Sequence, residues 1–191
     1  ENTANSADTL MQILIDSGLL DKKLESGRKG FLYVWDFDEK LWVAAANNML
    51  TGKHVSMGSG GHQGFIKGSY SGSFADILIP KTIDDAEVTE IYQDVFNGKG
   101  LKSVAFLRDS SIARIHARAF MGNNLTEIAF PDSLRRIDYG AFLNNDIVKI
   151  KIGAGVYMEG NVFHNNNKFR DIYLLEGEGT YLFVDGNWIK E

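Results

Sequence analysis

The stretch LTEIAFPDSLRRIDYGAFLNND, residues 125–146, decides the fold because its apolar skeleton recurs on both sides of itself. Before it stands LKSVAFLRDSSIARIHARAFMGNN (101–124), and after it IVKIKIGAGVYMEGNVFHNNNK (147–168). In register, Leu125, Ile128 and Phe130 lie over Leu101, Val104 and Phe106, and under Ile147, Ile150 and Ile152. A period of roughly 20–30 residues is the mark of a solenoid, whose units are each too short to bury an apolar face alone and must stack on neighbours.

Within a unit, the Ile-x-Phe spacing puts two side chains on one face of a short strand and turns the residue between them outward. The second half of each unit supplies an opposite wall: Ile115 with Ala119 and Phe120, Ile137 with Ala141 and Phe142, Met158 with Val162 and Phe163. Asn-rich turns follow (MGNN, LNND, HNNN), suited to Asn because its side chain bonds local backbone and it tolerates left-handed dihedrals. A degenerate earlier unit occupies residues 74–100, with Ile77 and Ile79 as the strand pair and Ile91, Val95 and Phe96 as the second wall. The two prolines, Pro80 and Pro131, each fall directly after the second strand residue of a unit, where a missing N–H and a fixed φ end a strand. FRDIYLL (169–175) predicts a last strand built on Phe169, Ile172 and Leu174. Beyond it, TYLFVDGNWIKE (180–191) predicts a hairpin turning at Asp185-Gly186 that caps the array.

The pattern L-x-x-I-x-F-P-D-S-L-x-x-I-x-x-x-A-F-x-x-N over residues 125–145 closely resembles the BspA-like leucine-rich repeats of bacterial and protozoan surface proteins. The resemblance covers roughly residues 68–191, and GSYSGSFADILIPKTIDDAEVTEIYQDVF is similar to the way such arrays begin. The third unit departs from the pattern at GAGVYMEG. What the resemblance implies is a mainly β repeat solenoid with irregular or short helical second walls, and an association with adhesion. It brings no common catalytic residues.

Residues 1–67 show no repeat. SADTLMQILIDSGLLDKKLESG predicts one or two short helices, and FLYVWDFDEKLWVAAA predicts a hairpin, so this part is expected to be an α+β N-terminal cap or small module. The Gly- and Ser-rich run from Thr51 to Phe74 predicts a mobile loop or irregular strands leading into the array. The expected organisation is therefore 1–67 cap, 68–175 repeats and 176–191 capping hairpin.

Composition narrows the function. At 191 residues and 44% hydrophobic content the chain can bury a real core. A formal charge of -5 disfavours nucleic acid or an anionic membrane as main partner, and no apolar run approaches the roughly 18 residues of a membrane span. The absence of cysteine removes disulfides, thiolate metal sites and a cysteine nucleophile. The start, ENTANSADTL without Met, is consistent with a removed leader or a piece of a longer chain.

GSGGHQG (58–64) lacks the Lys-Ser ending and the spacing of a phosphate loop and is better explained as a linker. His54, His62, His116 and His164 have no metal-ligand spacing, although His54 and His62 with Asp36 or Asp38 could meet across a loop. Tyr33, Trp35, Phe37 and Trp42 are either a glycan platform or core filling between hairpin and first repeat. Neither Asp36/Asp38 nor Asp84/Asp85 has a nucleophile partner, so catalysis has no support. No cofactor is expected.

Stacking predicts one outward column of Ser103, Glu127, Lys149 and Asp171, and another of Ala105, Ala129, Lys151 and Tyr173. Lys149, Lys151 and Tyr173 are the expected contact surface. On the second wall Glu90, Arg114 and Arg136 form a column that, with Arg118 and Arg135, makes a basic patch open at Arg136. The expected function is a non-catalytic binding module of an exported or cell-surface protein, with an extracellular protein or glycan as partner and strand edges open to self-association. The alternative is an N-terminal glycan-recognition or hydrolytic module held by a structural scaffold.

Overall fold

The computed structural model describes residues 32–36, 41–45, 50, 55–60, 63–107, 110–164 and 166–191. The helices expected between Ser6 and Gly27 lie outside them. The chain divides into two compact units, Glu1–Asn47 and Asn48–Glu191. In the first, β1 (Leu32–Asp36) and β2 (Leu41–Ala45) form the expected antiparallel hairpin, with Trp35 and Trp42 as cross-strand partners.

The second unit is a β-solenoid with two walls. On the first wall β5 (Asp76–Ile79) and β8 (Ser103–Phe106) pair in parallel, Ile77 on Val104 and Ile79 on Phe106. Further along, β10 (Glu127–Ala129) and β12 (Lys149–Ile152) do the same, Ile128 on Ile150. The second wall is continuous. In it β7 (Ala86–Ile91), β9 (Arg114–Ile115), β11 (Arg136–Ile137) and β13 (Tyr157–Met158) stack in parallel, with Ile91, Ile115, Ile137 and Met158 aligned. The short antiparallel strand β6 (Thr82–Ile83) pairs with β7 across the Asp84-Asp85 turn.

This wall begins earlier than the sequence suggests. The Gly-rich run forms β3 (Ser56–Gly60) and β4 (Gln63–Lys67), an antiparallel pair whose second member lies parallel to β7, with Ile66 against Ile91 and fully buried. The division into compact units falls at Asn47/Asn48, so β3 and β4 go with the repeats, and β4 supplies the first layer of the second wall. The hydroxyl of Thr89 donates to the Gly64 carbonyl at 2.8 Å and ties that layer to the next.

Between the walls runs a column of rings. Phe96, Phe120, Phe142 and Phe163 stack with centroids 4.9, 5.1 and 5.6 Å apart. Offset ring pairs add roughly 0.5–1.5 kcal/mol beyond their area burial, so the column holds successive coils together as well as filling them. The Asn turns lock the same layers. Asn123 is buried; its Oδ1 accepts from the backbone N–H of Lys99 and Leu101, and its Nδ2 donates to the carbonyls of Phe96 and Phe120. Asn145 repeats the arrangement one coil on, bonded to Leu125, Phe120 and Phe142. A third regularity is backbone: Asp94, Arg118, Gly140 and Asn161, two residues before each column phenylalanine, all have positive φ, between 52° and 65°.

The array ends differently from the expectation. Residues 166–176 are not a strand but a helix, α1 (Asn166–Glu176). Phe169 and Tyr173, four residues apart, fall on one helical face and are both buried; a strand would set Asp171 on that same face between them, whereas the helix leaves Asp171 exposed. Gly177 at φ 76° stops the helix, its N–H donating to the Tyr173 carbonyl at 2.8 Å. The helix covers the last layer, with Phe169 edge-on to Phe163 at 5.3 Å. The expected hairpin is present as β14 (Gly179–Val184) and β15 (Asn187–Lys190), turning at Asp185-Gly186. Strand β14 takes the vacant place beside β12, running antiparallel to it.

Candidate functional site

Two outward columns run along the second wall, one residue before and one after its buried aliphatic. The first holds Phe65, Glu90, Arg114, Arg136 and Tyr157, in agreement with the expected register. The second holds Tyr92, His116, Asp138 and Glu159. Neighbouring strands lie about 4.8 Å apart, so each side chain reaches partners on two adjacent coils.

The result is an interlocked ladder. The ring of Phe65 stacks on Tyr92 at 4.3 Å, and Tyr92 lies 4.3 Å from the His116 ring. His116 Nε2 sits 2.5 Å from Glu90 Oε2, and its Nδ1 3.7 Å from Asp138 Oδ2. Asp138 is buried and accepts from both neighbours in the other column: Arg114 through Nε and Nη2 at 3.0 and 2.7 Å, and Arg136 through Nε at 2.6 Å. Arg136 also donates to Glu159 and lies over the Tyr157 ring, 5.0 Å from its centroid. Burial alone would raise the Asp138 carboxyl, but the hydrogen bonds and charges of Arg114 and Arg136 hold it below the usual carboxylate range. The guanidinium of Arg136 is shifted upward, chiefly by its hydrogen bond to Asp138.

The basic patch expected here is corrected on this ground. Arg136 is not open but bound to two carboxylates. Arg118 forms a bidentate pair with Asp94 at 2.9 and 2.8 Å, which holds the Asp94 carboxyl low, and Arg135 donates to the carbonyls of Asp132 and Leu134. The acids were missed because they stand in the column after the aliphatic rather than before it. Reading Tyr92, His116, Asp138 and Glu159 as a stack would have found them. The face leaves three tyrosines in solvent, Tyr157 at 58%, Tyr139 at 47% and Tyr92 at 36% exposure, beside the partly exposed but ion-paired guanidinium groups of Arg114, Arg118 and Arg136.

The first wall places the other expected residues. Lys149 and Lys151 pair with Glu127 and Ala129 as predicted, and both are half-buried with interactions of their own. Asp171 and Tyr173 do not continue their columns, since they belong to α1; Leu182 and Thr180 of β14 stand there instead. Tyr173 is removed from the contact surface: it is buried, its hydroxyl accepting from the Val156 N–H and donating to the Gly153 carbonyl, each at 2.8 Å. Phe37, Asp38, His54 and His62 lie outside the described residues. No group of three metal-ligating side chains occurs among the described residues.

Stacked parallel coils with an aliphatic strand motif, a phenylalanine column and buried turn asparagines define a leucine-rich repeat solenoid. The BspA type leucine rich repeat region family, in six copies, matches residues 71–185, and the chain belongs to that family. Among solved structures it is similar to the T. pallidum leucine rich repeat protein TpLRR, with 21% identity and a TM-score of 0.48, over 61% of this chain and 54% of that one. The chain thus spans about half the length of that structure. A comparison with curated proteins found no match.

Proposed function

We propose that the protein is a non-catalytic binding module of an exported or cell-surface bacterial protein, and that it holds an extracellular protein or glycan by adhesion to its second-wall face. The observation that supports this reading is the combination of three exposed tyrosines with a ladder whose charges are already paired. Side chains fixed by ion pairs on a rigid sheet lose little freedom on binding, and tyrosine gives large contact area at small entropy cost. Paired charges give little net attraction to a strongly charged ligand; they present oriented hydrogen-bonding groups between flat apolar rings, which suits a partner of mixed polarity. Family membership accords with a binding role for the repeat module.

The test is binding of the full chain to an array of glycans and extracellular proteins, comparing Tyr139→Ala/Tyr157→Ala with Lys149→Ala/Lys151→Ala. A hit weakened tenfold or more by the tyrosine pair alone supports the proposal. A hit lost only in the lysine pair moves the site to the first wall, and a hit indifferent to both moves it off the repeats.

A further inference from the structure

We infer that β15 is a dimerisation edge, at which a second copy of this chain adds its own β15 antiparallel about a twofold axis through Ile189. Strand β15 ends the sheet β10-β12-β14-β15, with no further strand beside it among the described residues. The other wall's last strand, β13, has only two residues and offers too short an edge.

Which backbone groups face the open edge follows from the hairpin. Its two-residue turn makes Val184 and Asn187 a hydrogen-bonded pair, and antiparallel pairs alternate. Leu182 and Ile189 are therefore bonded, as are Thr180 and Glu191, whose N–H donates to the Thr180 carbonyl at 2.9 Å. The groups left pointing outward are those of Trp188 and Lys190. Two such strands have one symmetric register that uses all of them: Trp188 opposite Lys190 of the second copy, and the converse, with four backbone hydrogen bonds. Centring on Trp188 or Lys190 instead halves the bonds, and the second choice sets two lysines face to face.

The preferred register puts Ile189 against itself in a non-bonded pair, where side chains approach most closely. Ile189 is 47% exposed and stands on the same sheet face as Leu182 and the exposed Val184, so pairing joins two small apolar patches into one strip. Lys190, the residue expected to guard an edge, is directed away, its Nζ donating to the Glu176 carbonyl at 2.7 Å.

The opposite sheet face carries a second, independent sign. The ring of Phe169 touches both Tyr181 of β14 and Trp188 of β15, so α1 lies over the two strands. Across the dyad the helices of two copies then sit about 10 Å apart, two strand spacings, which is an ordinary helix packing distance. Leu174 and Leu175, exposed at 74% and 82% on opposite flanks of the helix, give whichever side meets its mate an apolar residue to cover.

The experiment is sedimentation of the full chain across concentration, with Ile189→Lys and with Ile189→Cys, which places a single thiol in a chain that has none. The non-bonded geometry, with Cα atoms about 4.5 Å apart, falls within disulfide reach. Expected are a concentration-dependent dimer, at least tenfold weaker in Ile189→Lys, and oxidation of Ile189→Cys to a disulfide dimer much faster than a Val184→Cys control. Thermal melts confirm that the variants stay folded. A chain monomeric at the highest concentration, a dimer unchanged by the lysine, or cross-linking no faster at 189 than at 184 would each overturn the inference. Because the proposed ligand face lies on the other wall, the two proposals fail separately.

Discussion

The body of the solenoid and its C-terminal end use the same kinds of residue for opposite ends. In the body, from β7 to Phe163, the strand aliphatics of the second wall and the column phenylalanines have counterparts one coil away, and stacking makes every layer both support and supported. In the end segment, Phe169, Ile172 and Leu174 copy the body's spacing, yet they fold as α1, bury Phe169 and Tyr173, and leave Leu174 in solvent. The difference teaches that an apolar spacing becomes a strand here only when the same unit brings its own second wall. After Leu174 the chain runs into EGEGT, with no Ile-x-x-x-Ala-Phe segment to close a coil.

The comparison breaks most visibly at the phenylalanines. Removing a buried Phe costs about 3–5 kcal/mol, but its consequence depends on neighbours. Phe142 contacts Phe120, Phe130 and Phe163, so Phe142→Ala is expected to lose that amount cooperatively across the body. Phe169 joins the body through Phe163 and otherwise touches cap rings, Tyr173, Tyr181 and Trp188. Phe169→Ala is expected to release α1 and the β14–β15 hairpin while amides of β9 and β11 stay protected in hydrogen exchange. Equal loss of protection throughout would show that end and body are one cooperative unit.

Next in size is Asp138→Asn, which removes the charge to which Arg114 and Arg136 are hydrogen-bonded. The expected cost is about 1–2 kcal/mol at neutral pH, discounted because both guanidinium groups are partly in water. The carboxyl is held low in the folded protein, so its contribution is complete above its unfolded value of about 4 and disappears as pH falls through the lower folded value. Melting temperatures of the two proteins should therefore differ at pH 7 and converge below about pH 4. In the end segment Asp171 lies exposed on α1, and Asp171→Asn should change stability by less than about 0.5 kcal/mol. A gap for Asp138→Asn that persists in acid would mean the asparagine disturbs packing rather than charge.

How far the sequence carries follows from the same contrast. The register of both walls, the outward column of Glu90, Arg114 and Arg136, and the Asp185-Gly186 hairpin were legible, because stacked repeats make each position its own control. The Glu127–Lys149 pairing was legible for that reason too. Three things were not. Strand β4 lies in a Gly-rich run and pairs through backbone, which leaves little side-chain pattern to read. The helix carries an apolar spacing that fits both periods over so few residues. The neutralisation of the arginines depends on side chains reaching from one column to the next, and shows only when the column after the aliphatic is read beside the column before it. The αL column escaped notice as well, for Asp94, Arg118, Gly140 and Asn161 share a dihedral and no chemistry.

That column gives the sharpest test of what repeats. Gly140 and the end segment's Gly177 both have positive φ, 65° and 76°, and a Cβ built at either meets nothing closer than 3.6 Å. Substitution there probes backbone conformation and little else. Because Asp94, Arg118 and Asn161 occupy the equivalent place in other coils, Gly140→Asn should be tolerated within about 0.5 kcal/mol, whereas Gly140→Val, whose branched side chain disfavours that region, should cost about 1–2 kcal/mol. Gly177→Val should cost a similar amount, since a helix C-terminus needs the same dihedral for a different reason. Urea titrations would rank the three. A valine accepted at 140 but not at 177 would mean the coil can relax its turn while the helix cap cannot, and the shared dihedral would then be a habit of the repeats and not a requirement.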